Sequence, residues 1–341
     1  MMDLSLQHKA QQLGDLDLAI LVSLTAGQHC MFSSDLHATG DLRDELRLIC
    51  TDRFGLQATV VHCSPRTSVD DFSEALLVDT VEDFEDAPEW REDPVNLPQT
   101  LSPRRGYSPG RNGSSGNRLD DRRIANVVIA HHLDRASPSV QTQTLELLRT
   151  RRIFTRTSMH TTPKSFLIVV VLSRPGARLN KHLNDMFAMS HHHPEEDGLP
   201  HLEGTADIDL KSAFSADDVK NLRTMAEGVR LTGEIAAYLH NIVVFIRSSR
   251  YVKGGVTAAA TRHLRALAMA LAPLHGLDYV SPSLISLATR KVYPHRLILA
   301  TAETERSLQW GSDPQAVHEM LEGMTADDVI EDVLGSVETP L

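Results

Sequence analysis

The feature that most constrains this chain is a pair of short, almost wholly apolar runs, Ile124 to Ala130 and Phe166 to Leu172, separated by a helix-patterned stretch from Val140 to Arg151. A run with no polar alternation has no side to offer to water, so each reads as a strand covered on both faces, as in a parallel sheet between helical layers. The stretch between them is long enough to supply the crossover that parallel pairing needs. The same rhythm precedes them. Leu16 to Ala26 repeats apolar residues at helical spacing and stops at Gly27, His29 to Phe32 reads as a strand, about Asp41 to Phe54 as a helix, and Gln57 to Cys63 as a second strand. This alternation predicts a three-layer, doubly wound α/β sheet.

Downstream the pattern changes to helices at Ala216 to Glu227, Gly233 to Arg247, Thr257 to Leu274 and Pro282 to His295, the last opened by Ser281 as N-cap and proline at the first helical position. Two domains are therefore expected, an α/β domain over residues 1–203 and an all-helical domain over 204–341. Within the first, residues 82–123 turn to Pro, Gly, Ser, Arg and Asp, a composition that cannot bury enough apolar surface to fix itself and predicts a disordered surface insertion. Its basic part reads as a solvated loop or a docking segment. His191-His192-His193 with Glu195, Glu196, Asp197 and, further on, His201 reads as a solvated loop in preference to a specific metal site.

With 34 Lys and Arg against 45 Asp and Glu, the net charge of -11 argues against a surface that neutralises nucleic-acid phosphates. The apolar runs fall far short of the roughly 20 residues that cross a bilayer, and Met1 to Gly14 lacks the apolar core of a signal peptide. A cytoplasmic protein with no membrane and no nucleic-acid partner is expected. Cys30, Cys50 and Cys63 have no C-x-x-C spacing and sit in apolar stretches, which predicts reduced, partly buried thiols.

From Asn126 to Arg152 the order is an apolar strand, a turn Asp134-Arg135-Ala136-Ser137-Pro138, and a helix carrying Gln141 through Leu148. This resembles the second nucleotide-binding strand of AAA+ ATPases of the MoxR and magnesium-chelatase type, where the strand ends in Asp-Glu and continues I-N-R-A-x-P-x-x-Q-x-x-L-L-E. A second likeness lies far downstream. The lid pattern G-A-S-P-R-A falls on Gly255 to Ala260, the next on Leu267 to Pro282, H-R-L on His295-Arg296-Leu297, and the family's closing helix on Met324 to Leu334. The resemblance covers most of the chain outside the insertion. It implies a P-loop-type parallel sheet followed by a helical lid, with ATP and Mg²⁺ as cofactors if the family activity is retained.

Matched residue by residue, the resemblance implies a damaged site. A phosphate loop needs glycines, a lysine and a Ser or Thr hydroxyl; here the segment ends Ala38-Thr39-Gly40-Asp41, and the lysine position falls on Gly40 or Asp41. A carboxylate such as Asp41 or Asp35 beside the triphosphate costs about 4 kcal/mol per charge pair at about 4 Å and an effective dielectric of about 20. The metal-holding Asp-Glu pair is His131-His132, the sensor asparagine is Arg174 or Ser173, the inter-subunit arginine is Met186, and the lid arginine is Ala259. Imidazole is a poor Mg²⁺ ligand, and adjacent strand residues point to opposite faces, so His131 and His132 do not make a zinc site by spacing. No cofactor is then expected. The resemblance implies a pseudo-ATPase scaffold or regulator working through protein partners, in a homo- or hetero-oligomer. The alternatives are a working chelatase-like motor subunit with an unorthodox nucleotide site, and a metal or small-molecule sensor built on the histidines.

Overall fold

A computed structural model describes residues 4–35, 39–79, 122–156, 158–205 and 214–340. Helices α1 (Leu4–Gln11) and α2 (Asp15–Ala26) lead into strand β1 (His29–Ser34), helix α3 (Thr39–Leu48) and β2 (Ala58–His62). Helix α4 (Val69–Ala75), strand β3 (Val127–His131), helix α5 (Pro138–Thr150), strand β4 (Leu167–Val171), the short α6 (Lys181–Asn184) and β5 (Phe187–His193) complete the sheet unit. All five strands run parallel in the order β2-β3-β4-β1-β5. The ends follow local chemistry. Gly27 closes α2 at φ +61, Ser68 and Asp71 form a reciprocal cap on α4, and Ser137 with Pro138 opens α5.

The period of two along each strand sorts the sheet into two packed faces. Cys30, Phe32, Val127, Ile129, Val169 and Met189 face α2 and α3. Met31, Val128, Ala130, Ile168, Val170 and Phe187 face α4, α5 and α6 through Phe72, Val140, Leu147 and Leu183. Every residue of β3 and β4 is buried, as their unbroken apolar runs require.

Helices α7 (Ala216–Glu227), α8 (Gly233–Ser248), α9 (Ala258–Leu274), α10 (Pro282–Val292), α11 (Pro314–Leu321) and α12 (Ala326–Ser336) follow. The expected all-helical arrangement gains one addition, a small antiparallel ribbon pairing Val252–Gly254 with Ile298–Leu299. The first core is continuous from Leu6 in α1 through the sheet to Val337, so the helices after residue 203 share a core with α1 and α2.

Two expectations need correction, and a third falls almost wholly outside the described residues. The helix expected over about 41–54 begins at Thr39 and passes at Ile49 into a π-turn ending at Arg53. His191-His192-His193 is no solvated loop; it is the end of β5, paired with Phe32, Ser33 and Ser34, with His191 and His193 buried. Counting histidine as polar hid the strand, whereas a neutral imidazole is readily buried. Of the stretch 82–123, residues 82–121 lie outside the described residues, while Arg123 pairs with Val78 in a short ribbon.

Candidate functional site

In an open parallel sheet the carboxyl ends of the strands converge on one edge, and ligands bind there. That edge carries Ser33 and Ser34 of β1, His62 of β2, His131 of β3, Ser173 after β4, and His192 and His193 of β5. The turn from β1 into α3 is where a phosphate loop would lie. Ala38 lies outside the described residues; Thr39 is buried at the start of α3, Gly40 has open space where a Cβ would stand, and Asp41 is exposed as the acidic residue of the first turn. Among the described residues of that turn there is no lysine or arginine.

The strand-end histidines form a cluster. His131 Nδ1 lies 3.2 Å from His62 Nδ1, and their rings meet edge to face at 5.3 Å. His132, the next residue, has φ +60, its N–H donating to Val171 O at 2.8 Å. The strand has ended there, so the rings of His131 and His132 do not point to opposite faces as expected; they stack at 3.7 Å. Burial pushes His131 down to about 4 and also lowers His132. Both present a buried Nε2 without a hydrogen-bond partner. Among the described residues no group of three or more His, Cys, Asp and Glu is arranged to hold a metal ion. The nearby Arg43 is paired with its neighbour Asp44 at 2.5 Å.

The carboxylate that sequence reasoning left unassigned is Asp134. It accepts from Ser173 N at 3.0 Å and Ser173 Oγ at 2.5 Å, tying the turn after β3 to the end of β4. Arg174 is exposed and lines a cavity of about 320 Å³ with Asp134, Arg135 and Arg178. Met186 and Ala259 lie elsewhere. Met186 precedes the first residue of β5, at the opposite end of the strands, and packs on the α5 side of the sheet; Ala259 is in the first turn of α9, next to Thr257, whose hydroxyl donates to Asp185 at 2.7 Å. The structure thus groups the five family-equivalent positions as His131, His132 and Arg174 at one edge and Met186 with Ala259 at the other.

Residues 245–320 match the family model of the AAA lid domain. Over 97% of its length, a crystal structure of a candidate ATPase from Cytophaga hutchinsonii superposes on 99% of this chain with a TM-score of 0.66 and 14% identity. The chain has the AAA+ fold, with an AAA lid. An uncharacterised protein of Bacillus subtilis, YeaC, is similar at 24% identity over 232 residues, covering 64% of this chain and 67% of that protein.

In this AAA+ fold the lid is locked to the sheet by the His295-Arg296-Leu297 motif. The Arg296 guanidinium, 3% exposed, donates to Phe187 O at 2.5 Å, Ala188 O at 3.1 Å and Val292 O at 2.6 Å, and pairs with Asp185 at 3.3 Å. His295 Nε2 donates to Phe187 O at 3.0 Å while its Nδ1 accepts from Ser190 Oγ at 3.1 Å. The start of β5 is thereby stitched to the end of α10. The three cysteines are free and buried, and burial raises their thiols, Cys30 and Cys63 to about 12. No helix among the described residues is long and apolar enough to cross a membrane.

Proposed function

We propose that this chain is a catalytically degenerate AAA+ protein of the MoxR and magnesium-chelatase type, acting through protein contacts and not by turning over ATP. The observation that carries the reading is the neutral, stacked His131–His132 pair at the end of β3. A metal-assisted phosphoryl transfer needs hard oxygen ligands there. Two imidazoles offer nitrogen, and the nearest carboxylate after the strand, Asp134, is spent on Ser173.

The start of α3 supports the same reading, because Asp41 stands in the first turn with no lysine beside it. ATP with Mg²⁺ does not fit the residues present, a His pair and an acidic first turn where carboxylates and a lysine would be needed. Contact with other proteins finds support in an exposed apolar pair: Phe154, 61% exposed, faces Met159, 48% exposed, across the ribbon Arg152–Phe154 with Met159–Thr161. Assembly into homo- or mixed oligomers belongs to this proposal.

Calorimetry with ATP and a non-hydrolysable analogue, with and without Mg²⁺, tests it, on protein whose oligomeric state is set by light scattering. The expected result is no Mg²⁺-dependent binding at millimolar nucleotide and no phosphate release. Micromolar, Mg²⁺-dependent binding would overturn the proposal in favour of a motor with an unorthodox site.

A further inference from the structure

A cavity of about 410 Å³ lies between the end of the sheet and the lid, bounded by Ser33, the loop Pro175 to Arg178, Ser190 and His192 on one side and by α10 and the start of α12 on the other. Among the described residues its lining includes nothing of the phosphate-loop position beyond the end of β1; Leu36 to Ala38 lie outside the described residues. Ser33 follows Phe32 and so faces away from α3, on the side of Met31, and no residue of α3 lines the cavity.

Two cations line this cavity and are held by acceptors that carry no negative charge. Arg178 Nη2 donates to Leu297 O at 2.5 Å and, among the described residues, has no carboxylate within ion-pair distance. Lys291 Nζ donates to His191 Nδ1 at 2.9 Å, and burial keeps that imidazole neutral near pH 7 by lowering it to about 4. A third cation, Arg290, is already paired with Glu331 at 2.5 Å. The carboxylate of Asp327 also lines the wall, and it acts with Asp15 on Lys291, but neither forms an ion pair with it.

Cations fixed in place by neutral acceptors retain their attraction for an anion without the ordering cost of a mobile side chain. The hydroxyl of Ser33 and the ring of His192, 3.2 Å apart, add polar groups that can turn towards a tetrahedral oxyanion, while the hydroxyl proton of Ser190 stays directed at His295. The volume falls in the range of small-molecule sites.

We propose that this cavity binds the phosphoryl group of a small metabolite, with Arg178 and Lys291 as its two charged contacts, independently of Mg²⁺ and of the phosphate-loop position. Pyrophosphate titrated into the full chain in Mg²⁺-free, low-salt buffer is the test, read by calorimetry. One saturable site per chain is expected, weakened about ten- to a hundred-fold by Arg178→Met and by Lys291→Met, as for loss of a charge-assisted hydrogen bond. Arg290→Met, whose charge is already met by Glu331, is expected to change affinity less than about three-fold. Circular dichroism of each variant guards against misfolding. Absence of saturable binding, or binding that Arg290→Met weakens as much as the other two, would overturn the site in favour of diffuse surface charge. Nucleotide binding that requires Mg²⁺ and survives Arg178→Met bears on the degenerate phosphate loop, so the two proposals fail separately.

Discussion

Two residues other than glycine hold positive φ among the described residues, Arg151 at the end of α5 and His132 after β3, each at +60. For an L-residue this conformation costs about 1–2 kcal/mol, and glycine escapes it at some cost in unfolded-chain entropy. Arg151 is exposed, so Arg151→Gly is expected to stabilise the chain by about 0.5–1 kcal/mol in urea unfolding. His132→Gly should give less than Arg151→Gly, because it also removes a ring stacked on His131. Equal gains from both would show that the stacked pair contributes nothing. Neither backbone position was legible in the sequence, since arginine and histidine do not mark a left-handed turn as Gly27 does. The orientation of the His pair was misjudged for the same reason: the rule of alternating faces holds only inside a strand, and the strand stops at His131.

At the scale of elements, the junction of β5, α9 and α10 rests on one buried guanidinium. Arg296→Ala strips partners from the carbonyls of Phe187, Ala188 and Val292 and from Asp185, and a loss of about 3–5 kcal/mol is expected. Arg296→Lys should recover only part, since an ammonium lacks the planar fork that reaches several acceptors. Gly255 belongs to the same junction. Its φ is +101, and a Cβ there would stand 2.0 Å from Arg296 O, so Gly255→Ala is expected to cost more than about 2 kcal/mol. Because both changes disturb the same backbone, the double variant should lose less than the sum, with a coupling of about 0.5–3 kcal/mol by urea denaturation; strict additivity would refute the shared junction. The helices of this region were readable from Ser281-Pro282 and apolar spacing, and β3 and β4 from their unbroken runs. Arg296 could be matched to H-R-L, but its role could not be read, because its partner Asp185 lies 111 residues away and periodicity carries only local information. The strand β5 escaped because its last three residues are histidines.

Across the whole molecule, histidines are built into the interior as neutral groups, and this sets how stability must vary with pH. Burial lowers His29 to about 3, His131, His191 and His263 to about 4, and His295 well below its ordinary value. Geometry agrees for two of them: His29 Nδ1 accepts the N–H of Ile168 at 3.0 Å, and His295 both accepts from Ser190 and donates to Phe187. These bonds require neutral rings. In the unfolded chain each imidazole takes up a proton below about pH 6.5, whereas in the folded chain it resists until pH approaches the lowered value. Falling pH therefore favours the unfolded state from about 6.5 downwards, by an upper limit of about 2 kcal/mol at pH 5 for each of His29, His131 and His191. His201 has the opposite sign. Its hydrogen bond with Asp17, at 3.1 Å, raises its affinity for a proton, so its contribution is fully present below about pH 6.5 and fades as pH rises through the raised value. With His132, also lowered, six lowered imidazoles against one raised leave a net loss on acidification, and the urea midpoint should fall by a large fraction of its pH 7 value on going to pH 5. Replacing Asp17 by Asn should deepen that loss, since it weakens the one opposing pair. A midpoint flat between pH 7 and pH 5 would mean that the buried rings gain protons without unfolding, and would remove the basis for treating His131, His132 and His191 as uncharged at the sheet edge.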